Sequence, residues 1–251
     1  MAIHDFTSQR LYVDVVLSPG AEVPVGGPQA HYLLNVMRMK LGDGVLLFNG
    51  RDGEWRASLS RAGKRDCLLV VEAMTRPQVA GPDVAYLFAP LKHARLDYMV
   101  QKATELGVRR LQPVMTRRTV AERVNLERMR ANVIEAAEQC GILAVPTVSE
   151  PLDLARAVAA LEPERRLIVC DEDAAADQSR SALPAETLLA LGPGPVAVVI
   201  GPEGGFDPVE RERLKAHPGS LLISLGPRIM RADTAAVAAL AIVNATLGRG
   251  W

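Results

Sequence analysis

The spacing of apolar positions changes near residue 82, and the change predicts two regions built differently. Before it, short apolar runs alternate with glycine-bearing turns. Residues 10–17, 44–50, 54–59 and 66–72 read as strands, with Arg51-Asp52-Gly53 as a tight turn between the second and third. One helical piece, residues 28–39, falls between the first two strands, with Pro28 suited to a first-turn position. Short strands joined by such turns predict a small β-barrel over residues 1–76. Residues 77–82 belong to a run bearing Pro77, Gly81 and Pro82 that breaks regular structure, and form the expected linker.

Over residues 83–251 strands and helices alternate. Residues 84–89, 111–115, 167–170, 196–200 and 221–225 are apolar runs of strand length. Their near-continuous hydrophobicity fits parallel strands covered on both faces. Helices are expected at 96–106, closed by Gly107, and at 125–140, 208–216 and 234–247. This order predicts an α/β domain.

Composition narrows the function classes. The chain is 49% apolar and 23% charged, as in an ordinary globular protein, and its 4% aromatic content disfavours holding RNA by stacking on many exposed rings. No signal peptide is expected from Met1-Ala-Ile-His-Asp5, and the apolar stretch 234–247 falls short of the roughly 20 residues of a membrane span, so a cytoplasmic location is expected. Cys67, Cys140 and Cys170 lie far apart and the four histidines form no ligand pair, so neither a metal nor a disulfide framework is expected. Net charge is zero, which disfavours a protein that coats nucleic acid. Lys+Arg against Asp+Glu nevertheless run 9 to 8 over residues 1–81, 10 to 5 over 82–134 and 10 to 16 over 135–251. The basic middle is compatible with docking one RNA site.

Two strand-to-helix junctions carry the candidate chemistry. In Ile200-Gly-Pro-Glu-Gly-Gly-Phe206 the glycines permit close backbone approach and Pro202 fixes a turn. Asp207-Pro208-x-Glu210 then has the form of a capping box that starts a helix. The second junction is Leu225-Gly-Pro-Arg-Ile-Met-Arg-Ala-Asp-Thr234. Ligands of open α/β sheets bind beyond the carboxyl ends of strands, where such loops meet. Neither loop is a phosphate cradle: Pro202 lacks an N–H and Glu203 would repel phosphate, so a nucleotide without a pyrophosphate suits the site better.

These two loops resemble the paired signatures of the RsmE family of 16S rRNA methyltransferases. Further blocks agree in family order: Arg10-x-Tyr12-Val13, His31-x-x-x-Val36-Met-Arg38-x-x-x-Gly42, Lys92-x-x-Arg95-x-Asp97 with Lys102-Ala-Thr-Glu-Leu-Gly-Val108, and Glu135-Ala-Ala-Glu-Gln-Cys-Gly141. Met230, Asp233 and Ile142 depart from the usual pattern, the last standing where arginine is common.

The resemblance implies a SPOUT α/β domain with a C-terminal trefoil knot, preceded by a PUA-like RNA-binding β-barrel, in a cytoplasmic homodimer. It implies transfer of a methyl group from S-adenosylmethionine to N3 of a uridine (uridine 1498 of 16S rRNA) in the small ribosomal subunit, without a metal. On this reading the cofactor lies among Cys170, Asp171 and Glu172, then Ile200, Gly201, Pro202, Glu203, Gly204 and Gly205, then Leu225, Gly226, Ile229 and Met230, with Leu225 and Ile229 forming an apolar slot. Deprotonated uracil spreads its charge over a planar ring, which a guanidinium suits, so Arg231 or Arg228 is expected to stabilise the transition state. Glu138, Glu203, Asp233 and water are the candidate proton acceptors. RNA contacts are expected at Arg10, His31 and Arg38, and at Lys92, Lys102, Arg117 and Arg118.

Three other functions compete. A methyltransferase acting on another RNA is disfavoured by the barrel-first order and the His31/Arg38 block. A non-catalytic RNA-binding factor would have no need of two glycine loops, and a dinucleotide-dependent oxidoreductase would carry a phosphate fingerprint.

Overall fold

The computed structural model describes residues 8–92, 94–121, 123–171, 188, 192, 194–226 and 228–247. The chain divides into two compact units, Met1–Ala80 with Ala137–Val145, and Gly81–Ala136 with Pro146–Trp251.

In the first unit, β1 (Arg10–Tyr12), β2 (Glu22–Gly26), β3 (Gly44–Phe48), β4 (Glu54–Ala62) and β5 (Asp66–Arg76) form one sheet in the order β1-β3-β4-β5-β2. Only β1 pairs in parallel, with β3. Irregularities in the β4–β5 register locally bend the strands.

The strand expected over 10–17 stops at Tyr12 because side chains take over from the ladder. Asn49 donates to the Val15 carbonyl at 2.8 Å, and Asp52 accepts the Leu17 amide at 2.9 Å. β2 was not expected. Its alternation buries Val23 and Val25, and Pro24 is tolerated because the strand lies at the end of the sheet order. The expected helix 28–39 is a short α1 (Gly27–His31) followed by a π-helical turn, Tyr32–Val36.

β3 is apolar on both faces. Val45 and Leu47 join the main cluster with Trp55, Leu59 and Leu69. Phe48 instead packs with Ala137 and Leu143, against which Ile142 and Val145 are partly buried. Ile142, the departure from the family pattern, is therefore a packing residue.

A charge cluster is buried beside this contact. Glu54, 1% exposed, accepts Nε of Arg10 at 2.9 Å, Nη2 of Arg76 at 2.7 Å and the Thr75 hydroxyl at 2.9 Å. Arg76 also donates to the Gly141 carbonyl at 2.9 Å. Burial alone would push the Glu54 carboxyl up; the hydrogen bonds from Arg76, Thr75 and Arg10 override it and hold it below the usual glutamate range.

The second unit contains β6 (Val84–Phe88), α2 (Ala94–Glu105), β7 (Arg110–Met115) and α3 (Leu126–Cys140), whose residues from Ala137 are grouped with the first unit. There follow β8 (Thr147–Val148), β9 (Leu152–Asp153), α4 (Leu154–Ala159), β10 (Arg166–Cys170), β11 (Val196–Ile200), α5 (Pro208–Ala216), β12 (Ser220–Ile223) and α6 (Ala232–Leu247). The sheet is parallel, in the order β12-β10-β11-β6-β7-β8, with β9 on the end of β7. β6 and β11 are buried at every position, which explains their unbroken apolar runs. β8, β9 and α4 are too short to leave a periodicity in the sequence.

The helices are tied by named pairs. Asp97 of α2 accepts Arg128 Nε at 2.9 Å and Asn132 Nδ2 at 2.8 Å from α3. α6 packs on α2 and β11, and Asn244 donates to the Leu106 carbonyl. The chain thus leaves β12 at the sheet edge and returns across the sheet.

Replacing Glu54 with Gln should destabilise the first unit by about 3–5 kcal/mol, because two arginines lose their buried counter-charge. In the wild type, Glu54's contribution should be complete above the ordinary glutamate range and be lost as pH falls through its lowered value. Urea denaturation of both proteins between pH 7 and roughly pH 3 tests this. Equal stability at neutral pH would contradict it.

Candidate active site

The parallel strands bring three loops to one cleft. Cys170 ends β10 and Asp171 follows it; Ile200 ends β11, and Gly201, Pro202, Glu203, Gly205 and Phe206 follow it. From the loop after β12 come Ser224, Leu225, Gly226, Arg228, Ile229 and Met230, with Ala232 and Ala235 of α6. β10 lies between β11 and β12 in the sheet, so its end, where Cys170 and Asp171 were expected, forms part of the lining.

The β11 loop has its shape for two local reasons. Gly205 sits at φ 69°, where a side chain is strained, and Gly201 lies against Phe206, whose ring atoms would be 3.1 Å from an added Cβ. The capping box is present: Asp207 accepts the Glu210 amide at 2.8 Å and Glu210 accepts the Asp207 amide at 3.0 Å. The hydrogen bond from the Glu210 amide, helped by the Arg117 cation, holds the Asp207 carboxyl below its usual range.

Charges around the cleft are paired. Asp171 faces Arg211 of α5, with Oδ2 to Nε at 2.6 Å and Oδ1 accepting Nη2 at 3.2 Å. Glu203 pairs with Arg95. Among the described residues Arg228 is the one cation in the lining, and it is exposed. Burial, reinforced by Asp171, pushes the Cys170 thiol up to about 12, so it stays protonated and is no nucleophile.

Other residues singled out from the sequence are placed differently. Gly204 does not line the cleft: it is exposed, and a Cβ there would meet Arg118 Cδ at 3.4 Å. Glu172 lies outside the described residues. Arg231 is exposed and its carbonyl accepts the Ala235 amide at the start of α6. Asp233 accepts the Thr234 amide at 2.9 Å, and Glu138, in the first unit, accepts the Tyr12 amide at 2.8 Å.

Among the expected RNA contacts, Arg10 is only 5% exposed and is committed to Glu54, so its side chain is not available at the surface. His31 and Arg38 of the first unit are exposed. His31 Nδ1 lies 3.1 Å from Asn35 Nδ2, and Arg38 holds a left-handed φ of 56°, a strained geometry for a non-glycine residue. In the second unit Lys92 is exposed, and Lys102 bonds both carboxylate oxygens of Glu105 at 2.8 Å. Arg117 pairs with Asp207 at 3.1 Å, and Arg118 donates to the Gly204 carbonyl.

Phe206, Ser224, Ala232 and Ala235 line the cleft without having been singled out. A large apolar residue directly after Gly204-Gly205 was the one available signal, for Phe206. No helix among the described residues is long and apolar enough to cross a membrane, and none of them form a metal-binding group of three or more His, Cys, Asp or Glu.

A family model described as an RNA methyltransferase domain matches residues 80–244, and one described as an RNA methyltransferase PUA domain matches residues 25–72. Ribosomal RNA small subunit methyltransferase E of Synechocystis is 33% identical over 90% of this chain and 74% of its own. The protein of that name from Rickettsia conorii is 28% identical over 94% of each chain. The crystal structure of the same enzyme from Neisseria gonorrhoeae, bound to S-adenosyl methionine, aligns with a TM-score of 0.80 at 25% identity, covering 96% of this chain and 98% of that one. A Legionella pneumophila methyltransferase structure with bound SAM also scores 0.80, at 28% identity over 95% of this chain and 97% of its own.

Gly201→Ala should cost about 1–3 kcal/mol, since the buried Phe206 ring must shift, whereas Gly204→Ala should stay within about 0.5 kcal/mol. Urea denaturation of the two variants separates them, and equal losses would contradict the geometry. Under brief alkylation of the native protein, exposed Cys140 should label while Cys170 should not, as read by peptide mass. Comparable labelling would show an ionisable Cys170.

Proposed function

Because the chain belongs to the RNA methyltransferase family that includes ribosomal RNA small subunit methyltransferase E, we propose that it methylates N3 of a uridine in 16S rRNA, using S-adenosylmethionine. The cleft at the ends of β10, β11 and β12 is the observation that carries this reading. Its chemistry fits the cofactor. Ile200, Leu225, Ile229 and Met230 offer an apolar slot for adenine, and Asp171 and Glu203 already have cationic partners. Among the described residues the lining contains no lysine and one arginine, an arrangement suited to a nucleoside without phosphates.

Bound S-adenosylmethionine supplies a methyl group on a positive sulfur, open to in-line displacement. The residues of this chain orient donor and acceptor and stabilise the charge left when N3 of uracil loses its proton. Arg228 in the lining and Arg231 at the start of α6 are the cations proposed for that planar anion. Glu203 is the one of the three candidate carboxylates, with Glu138 and Asp233, that lines the cleft. Exposed His31, Arg38 and Lys92 are proposed to meet RNA.

The same reading makes residues 1–76 a PUA-like RNA-binding domain, residues 77–82 a linker and residues 83–251 a SPOUT domain with a trefoil knot. The return of α6 from edge strand β12 onto α2 and β11 supports the knot. A ribosomal substrate places the enzyme in the cytoplasm. Ile229, 89% exposed in the lining, supports a homodimer in which a second copy covers it.

Incubation with S-adenosylmethionine and unmethylated small ribosomal subunits, followed by nucleoside mass mapping, should find one 3-methyluridine in 16S rRNA. Arg231→Ala and Arg228→Ala should each lower kcat by about 10²–10³-fold, with the cofactor Kd of Arg231→Ala nearly unchanged. Activity within a few-fold of wild type in both variants would refute the arginine roles. Methylation of a different base would refute the target.

A further inference from the structure

Residues 201–206, the cleft wall after β11, are fastened unevenly. At the start Gly201 is wedged against the buried Phe206 ring, and at the end the Asp207–Glu210 capping box anchors the chain to α5. Arg117 reinforces that end, its amide donating to Glu210 Oε1 at 2.8 Å and its Nε lying 3.1 Å from Asp207 Oδ2. Within the turn, the Gly205 amide donates to the Pro202 carbonyl at 2.8 Å. Glu203 and Gly204, at the apex, are held from outside. Arg95, in the first turn of α2, pairs with the Glu203 carboxylate, and Arg118, in the loop after β7, donates to the Gly204 carbonyl.

We propose that Arg95 and Arg118 are positioning residues of the methyl-transfer site, which set the apex of the cofactor loop from its outer side and are not primarily contacts to RNA phosphate. The proposal rests on the S-adenosylmethionine reading above. Two adjacent glycines leave the apex wide conformational freedom, and Pro202 contributes no N–H with which to restrain it. A guanidinium bound to a carbonyl removes that freedom before the ligand arrives, which strengthens binding by lowering the ordering cost. Both side chains of the Arg95–Glu203 pair are well exposed, at 40% and 57%, so the pair adds little to global stability. Its effect falls on which shape of the turn is populated. Arg95, in the helix that follows β6, and Arg118, in the loop that follows β7, brace the cleft wall from strands outside the three that line it.

Calorimetric titration with S-adenosylmethionine of wild type, Arg118→Ala, Arg118→Lys and Arg95→Ala tests this. Arg118→Ala should weaken the cofactor about ten-fold and Arg95→Ala a few-fold, with the lysine variant recovering part of the loss because an ammonium can still donate to the carbonyl. Urea midpoints should match wild type. Affinity for purified small ribosomal subunits, measured across salt concentrations, should keep its salt dependence. Unchanged cofactor affinity together with a salt slope reduced by about one per arginine would overturn the proposal and make them phosphate contacts. Unchanged cofactor affinity with an unchanged slope would overturn it as well. Wild-type protein that binds no S-adenosylmethionine would bring down the methyl-transfer reading itself, an outcome distinct from variants that bind as wild type does.

Discussion

Cys170 is in register with Ile200 on one side and with Ile223 on the other, so β11, β10 and β12 end at one level. The three chains leave the sheet together, where there is no further ladder to accept their backbone groups. The loops must then turn apart, and the space between them is the cleft. Its glycines follow from that crowding: Gly201 passes against Phe206, and Gly205 reverses the chain in the left-handed region. β11 is buried at every position, so a slip by one residue would mispack side chains on both of its faces at once, and this packing keeps the strand ends from drifting.

Electrostatics follow from the same placement. A carboxylate at the end of a buried strand is costly unless it is paired, and Arg211 supplies the partner for Asp171. With Glu203 also paired, the described residues of the cleft present neutral, largely apolar walls and one guanidinium, Arg228. Such a site selects a nucleoside more readily than a phosphate ester. The apolar contact of Phe48 with Ala137 and Leu143, beside the buried Glu54 cluster, does comparable work in the first unit, where it fixes residues 137–145 on the outer face of β3.

Much of this was legible in the sequence. Periodicity located the long buried strands, the Asp207-Pro208-x-Glu210 spacing announced its capping box, and the glycine junctions marked the loops now found around the cleft. What was not legible depended on tertiary partners. Pro24 hid β2, since only an edge position admits it. The early end of β1 depends on Asn49 and Asp52, some 35 residues away. Arg10 reads as a surface cation until Glu54 is seen to bury it, and Gly204 reads as part of a ligand cradle until its open face is seen to point at Arg118. Strand order is a further case: β10 between β11 and β12 is a property of topology that no local pattern carries.

The central claim is that these three strand ends enclose one sulfonium nucleoside. A crystal structure of the protein with S-adenosylmethionine tests it most directly. The nucleoside should lie between Gly201–Phe206 and Ser224–Met230, above Cys170, with its adenine among Ile200, Leu225 and Met230. Density for the compound at any other place, or an empty cleft at saturating concentration, would contradict the account.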